Sequence, residues 1–137
     1  MVPAKKSCYT DAMFATILSL HILVAILMGT VALRALYAIA QKRTEALPRF
    51  AKQLSLFLVG EAFSGSLLGL TAPEFSVAEF CINVGLYVGA FLLVEFLIFA
   101  ALKKEPLLVF PHFYARTSAA VSLAAFVFVI LVRTSVV

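Results

Sequence analysis

The chain has 137 residues, 64% of them hydrophobic and 13% charged, with a net charge of +4 and a mean hydropathy of +1.08. Soluble domains run about 45–50% apolar and about 25% charged, so a cytosolic globule is excluded. The positive balance comes from a scarcity of acids, not from a basic tract, which excludes a nucleic-acid-binding or disordered chain. The composition is that of a polytopic integral membrane protein, with a single membrane domain over 1–137.

A helix crossing a ~30 Å hydrocarbon core takes roughly 20 mainly apolar residues. Four stretches reach that length: about Ala12–Leu33, about Gln53–Ala72, about Val77–Leu102 and about Phe113–Val132. The first has no formal charge, the second carries Glu61, the third Glu79 and Glu95, and the fourth Arg116 in its first turn. Between them lie a polar segment from Arg34 to Lys52, a tight Pro73-Glu74 turn and a linker from Lys103 to His112. The linker reads as an interfacial re-entry of the chain ending in an aromatic anchor, His112-Phe113-Tyr114. No alternating ten-residue pattern of a barrel is present. The predicted fold is all-α: a four-transmembrane-helix, up-down bundle.

Lys5 and Lys6 before an apolar run suggest a secretory signal, but Ala12–Leu33 is 22 residues long. A signal core is about 7–15 residues, so the segment is read as a retained helix. Orientation follows from Lys and Arg in the short loops. One face holds Arg34, Lys42, Arg43, Arg49, Lys52, Lys103, Lys104 and Arg116; the other holds Lys5, Lys6 and Arg133. That asymmetry predicts both termini outside, although Lys5 and Lys6 pull the other way.

Ionisable groups inside a span are expensive and normally face the bundle interior. At 1.5 Å per residue, His21 lies roughly 14 Å below the start of the first span and Glu61 roughly 16 Å below the end of the second. They share a level near the midplane on successive antiparallel helices, and an imidazole N–H suits a carboxylate. A buried polar pair is predicted, either a structural bridge or a proton-exchange site. Gly60, Glu61, Ser64, Gly65 and Gly69 are expected on one broad face of the second helix.

Glu95 lies roughly 10 Å from the inner end of the third helix, within reach of Arg116, so a buried salt bridge is expected there. Glu79, one turn into its helix, reads as a cap-region carboxylate. Gly65–Gly69 and Gly85–Gly89 both fit GxxxG and predict a close crossing of helices two and three. Cys8 and Cys81 fall at the same membrane face, with Cys81 on the Gly85–Gly89 stripe and so pointing inward. A disulfide and two unrelated thiols both remain open.

No catalytic residue is identified: a P-loop, a nucleophile elbow, a dinucleotide fingerprint and a C-x-x-C motif are all absent. No metal site and no cofactor are implied, since His21 and His112 are more than a turn apart in depth. The expected partners are membrane lipids, and either other membrane-protein subunits or further copies of the chain. Three function classes follow. The leading one is a non-catalytic accessory subunit or interaction partner of a membrane complex. The alternatives are a small proton-linked transporter using His21 and Glu61, and a redox or lipid-modifying membrane protein.

Overall fold

The computed structural model describes residues 8–72, 74–103 and 110–135, with the backbone alone for 8–10 and 110–112. Four helices account for nearly all of it: α1 (Cys8–Ala40), α2 (Leu47–Thr71), α3 (Val77–Leu102) and α4 (Phe110–Ser135). All four are long and apolar enough to cross a membrane. The protein is a small integral membrane protein with an all-α, four-helix fold.

The first connection is shorter than the sequence pattern suggests. Arg34 belongs to α1, and Arg49 and Lys52 belong to α2. Helical backbone continues into the polar segment because it satisfies its own N–H and C=O groups wherever the solvent changes. What stops α1 is a left-handed residue, Lys42 at φ 57. Arg43 N–H reaches Ala38 O at 2.9 Å and Lys42 N–H reaches Ile39 O at 3.0 Å, the paired bonds of a Schellman cap. A single 3-10 turn, Thr44–Ala46, then leads into α2, with Pro48 in its first turn where no N–H is needed. At the opposite end Ser76 caps α3 by accepting the Glu79 N–H at 3.4 Å. Glu79 therefore sits in the first turn of α3, where the helix dipole favours a carboxylate.

α2 is the axis of the bundle. It packs along α1 on one side and α4 on the other, while α3 touches all three more thinly. On α2, Gly60 approaches Val24 and Gly65 approaches His21, so α1 and α2 run antiparallel. Gly69 approaches Val129, and Lys52 Nζ lies 5.3 Å from the centre of the Tyr114 ring, so α2 and α4 run parallel.

The two halves of the bundle are filled differently. Toward the α1–α2 turn, a close-packed core gathers Met28, Ala35 and Ala38 of α1, Leu47, Ala51, Leu54 and Leu58 of α2, and Phe91, Ile98 and Leu102 of α3. Toward the α2–α3 turn the filling is aromatic. Phe80 lies 5.3 Å from Phe75 and meets Phe126 edge-on at 5.8 Å. Many large apolar side chains, among them Leu33, Leu56, Leu86 and Leu131, point outward, as lipid-facing residues do.

The expected crossing of α2 and α3 on paired GxxxG motifs does not occur. A Cβ added at Gly69 would meet Val129 of α4 at 3.0 Å, and one added at Gly85 or Gly89 would meet nothing within 4 Å. The α2 glycines face α1, α4 and the Phe75 and Phe80 rings around the start of α3, whereas Gly85 and Gly89 of α3 face outward. A short turn fixes which helices are sequential, not which faces meet.

Candidate functional site

Ser64, one turn after Gly60 on α2, donates its hydroxyl back to Gly60 O at 2.9 Å. Its lone pairs are then free for His21 of α1, whose Nδ1 lies 2.8 Å from Ser64 Oγ. With the Ser64 hydrogen on Gly60, that contact needs a hydrogen on Nδ1. Gly65 makes room for the ring: a Cβ there would lie 3.4 Å from His21 Cε1.

The same Nδ1 lies 2.7 Å from Glu61 Oε2. The approach is close but off the axis of the ring N–H, and Oε2 is buried with no aligned hydrogen-bond donor among the described residues. Glu61 Oε1 receives the Tyr87 hydroxyl of α3 at a long 3.5 Å. The Glu61 side chain is 3% exposed and that of His21 29%. A buried carboxylate is thus held by two imperfect contacts from two different helices. Such a group is costly to keep charged, and a small rotation of His21 aligns or breaks its main contact.

This pair forms the floor of a cleft of about 290 Å³ that runs to the α2–α3 turn. Phe14 and Leu18 line it from α1, Asn83 and Tyr87 from α3, and Phe126 from α4, with Glu74, Ser76 and Glu79 near the turn. Among the described residues three carboxylates line the cleft and no Lys or Arg does. A low-dielectric cleft in which carboxylates predominate concentrates counter-ions, here cations.

Arg133 is near the mouth but committed elsewhere. Its Nε donates to Gly69 O at 2.8 Å, and Nη2 donates to Leu70 O at 2.9 Å and Ala72 O at 2.7 Å. Its guanidinium also stands 5.2 Å from the centre of the Phe75 ring. The cation closes the carbonyl end of α2, where the helix dipole is negative.

Two other expectations come out differently. The Glu95–Arg116 salt bridge is not formed among the described residues. Glu95 is buried with Oε1 lacking a partner, whereas Arg116 is exposed. Depth along the two helices matches, but α3 and α4 are rotated so that the side chains diverge. Cys81 does not point into the bundle: it is an exposed free thiol, because the Gly85–Gly89 stripe it shares faces outward. The side chains of Cys8 and His112, and the linker from 104 to 109, lie outside the described residues.

Sequence reasoning did not single out Tyr87, Asn83 or the capping role of Arg133. A usable signal for the first two was present, since Glu79, Asn83 and Tyr87 repeat every fourth residue in a strongly apolar helical sequence. Such a row forms one ridge on a helix surface. Among the described residues, no three His, Cys, Asp or Glu side chains gather into a metal-binding group.

No protein-family model, no curated protein and no solved structure matches this chain.

Proposed function

We propose that the protein is a small proton-linked membrane transporter in which His21 and Glu61 exchange protons at the floor of the cleft. The observation that carries the reading is the Glu61 carboxylate, 3% exposed, with His21 Nδ1 at 2.7 Å, in the lining of a cleft that extends to the α2–α3 turn. A purely structural bridge gains most from well-aligned, fully satisfied bonds, and Oε2 has none. Intramembrane carboxylates beside a histidine are the residues that relay protons in pumps and transporters.

The orientation proposed with it has both termini outside, from the eight-to-three Lys and Arg asymmetry. The cleft then opens outward, since the α2–α3 turn lies at the same end as the start of α1 and the end of α4. Reporter fusions at the C-terminus and at residue 43 are expected to report opposite faces. Cytoplasmic reporter activity at the C-terminus reverses the orientation.

The function is tested by proton flux into vesicles containing the purified protein under an imposed gradient. Flux above empty vesicles is expected, with Glu61→Gln abolishing it and Tyr87→Phe lowering it severalfold. Absence of flux, together with a stoichiometric membrane partner recovered from mild detergent, replaces this reading with that of an accessory subunit.

A further inference from the structure

The chemistry of the cleft goes further than a proton site. A proton relay needs polar groups and water, but the walls between the Glu61 floor and the mouth are largely apolar, with five aromatic rings among aliphatic and small residues. Phe14, Phe75, Phe80, Tyr87 and Phe126 come from all sides of the cleft. Phe75 already carries one cation on its ring, the Arg133 guanidinium at 5.2 Å. Aromatic faces attract positive charge, strongly so when water is excluded, and aromatic cages are a recurrent way of binding substituted ammonium groups.

The floor supplies the counter-charge. Glu61 is more than nine-tenths buried, lines the cleft, and keeps Oε2 without an aligned donor. Glu74 and Glu79 repeat the negative sign near the mouth, and among the described residues no Lys or Arg lines the cleft. An inorganic cation needs several oxygen ligands converging at short distance. Among the described residues no such group of carboxylates and imidazoles exists. The fit is to a cation whose surface is mostly carbon.

We propose that the cleft lined by α1, α2, α3 and α4 binds a small organic ammonium cation, with its charge at the Glu61 carboxylate and its alkyl groups against Phe75, Phe80 and Phe126. The proposal rests on the proton-exchange reading of His21 and Glu61: the cation takes the place of the proton on that carboxylate. Besides those two, the titratable and charged groups facing the cleft among the described residues are Tyr87 and Glu79 from α3, and Glu74 at the turn. Arg133 of α4 stands at its edge.

The test is equilibrium binding of tetraethylammonium to the purified full-length protein in detergent. Its uncharged carbon isostere and sodium are measured in parallel, and proton release is followed in weakly buffered solution. Saturable binding of tetraethylammonium is expected, roughly tenfold or more tighter than the isostere. Sodium is expected not to compete. Glu61→Gln is expected to weaken binding by a similar factor, and Phe75→Leu by severalfold. Glu95→Gln, which changes a buried carboxylate outside the cleft, is expected to leave binding unchanged.

Equal binding of the ammonium and its isostere overturns the proposal, and this comparison uses the unaltered protein, so it stands even if a variant fails to fold. Undetectable ammonium binding, or binding indifferent to Glu61→Gln, overturns it as well. The two readings fail separately. Ammonium binding without proton release leaves the cation site standing and removes proton exchange. Glu61-dependent proton flux without ammonium binding does the reverse.

Discussion

α2 and α3 each carry one carboxylate deep in the bundle, and their surroundings differ. Glu61 on α2 has His21, Tyr87 and the hydroxyl-bearing turn of Ser64 around it. Glu95 on α3 is 9% exposed and its Oε1 has no partner. The helices that hold them differ in the same sense. α2 is the least apolar of the four spans and the most buried, while the more apolar α3 buries only Phe91, Glu95, Ile98 and Leu102. In a bilayer the apolar surface belongs outside, so polar content and burial rise together. α2 concentrates chemistry because it is central. α3 is a lid on that chemistry, attached through Tyr87 and the Phe75–Phe80–Phe126 aromatic contacts.

The largest expected effect comes from taking away one partner of the α2 pair. His21→Leu leaves Glu61 buried with only the long Tyr87 contact to its carboxylate, and losses of about 3–5 kcal/mol accompany an uncompensated buried charge. The double variant His21→Leu/Glu61→Leu deletes the buried polar group together with its partner. It is expected to recover most of that stability in a detergent unfolding titration, while losing proton flux entirely. Independent, additive losses in the two single variants mean that the residues do not act on each other.

The opposite sign is expected at Glu95. Glu95→Met removes an unpartnered buried carboxylate and keeps a side chain of similar length. A gain of about 1–3 kcal/mol is expected, with proton flux retained. A loss of stability instead reveals a partner for Glu95 and erases the contrast between the two helices.

Gly69→Ala probes the α2 side of the comparison through packing alone. Its Cβ would stand 3.0 Å from Val129 Cγ1 and 3.3 Å from a Phe75 ring carbon. Overpacking of this kind costs about 1–3 kcal/mol. Because α2 and α4 both approach there, thermal unfolding is expected to shift, and the Arg133 bonds to Gly69, Leu70 and Ala72 are expected to loosen. Faster hydrogen exchange of the Ala72 amide, which bonds Leu68 O at 2.8 Å, is the accompanying sign.

The legibility of the molecule in its sequence divides along the same line, between position along a helix and rotation about it. Apolar length locates all four spans, and counting 1.5 Å per residue puts His21 and Glu61 on one level. Rotation is harder, because an apolar span in lipid has no polar face to mark its outside. The stripe of Cys81, Gly85 and Gly89 looks like an interior and faces outward. Glu95 and Arg116 match in depth and diverge in direction. Tyr87 was hidden for a related reason: tyrosine in a span reads as one more aromatic until a carboxylate on another helix gives its hydroxyl a purpose. Arg133, counted only as a loop cation, becomes legible once the α2 carbonyls it caps are placed beside it.

The smallest expected effect lies on the outer face of α3. Gly85→Ala and Gly89→Ala add a methyl group where nothing stands within 4 Å, and neither glycine has positive φ. The only change is the backbone freedom lost on forming the helix, so stability is expected to hold or to rise by up to about 1 kcal/mol. Set beside Gly69→Ala, this asks whether two GxxxG stripes of identical pattern differ because of where their helices sit. Unfolding measured as a function of protein concentration makes the question sharper. A loss in Gly85→Ala or Gly89→Ala that grows with dilution of the unaltered protein points to a second chain seated on α3. In that case the exposed stripe is an interface between copies, and α3 is as central to the assembly as α2 is to the single chain.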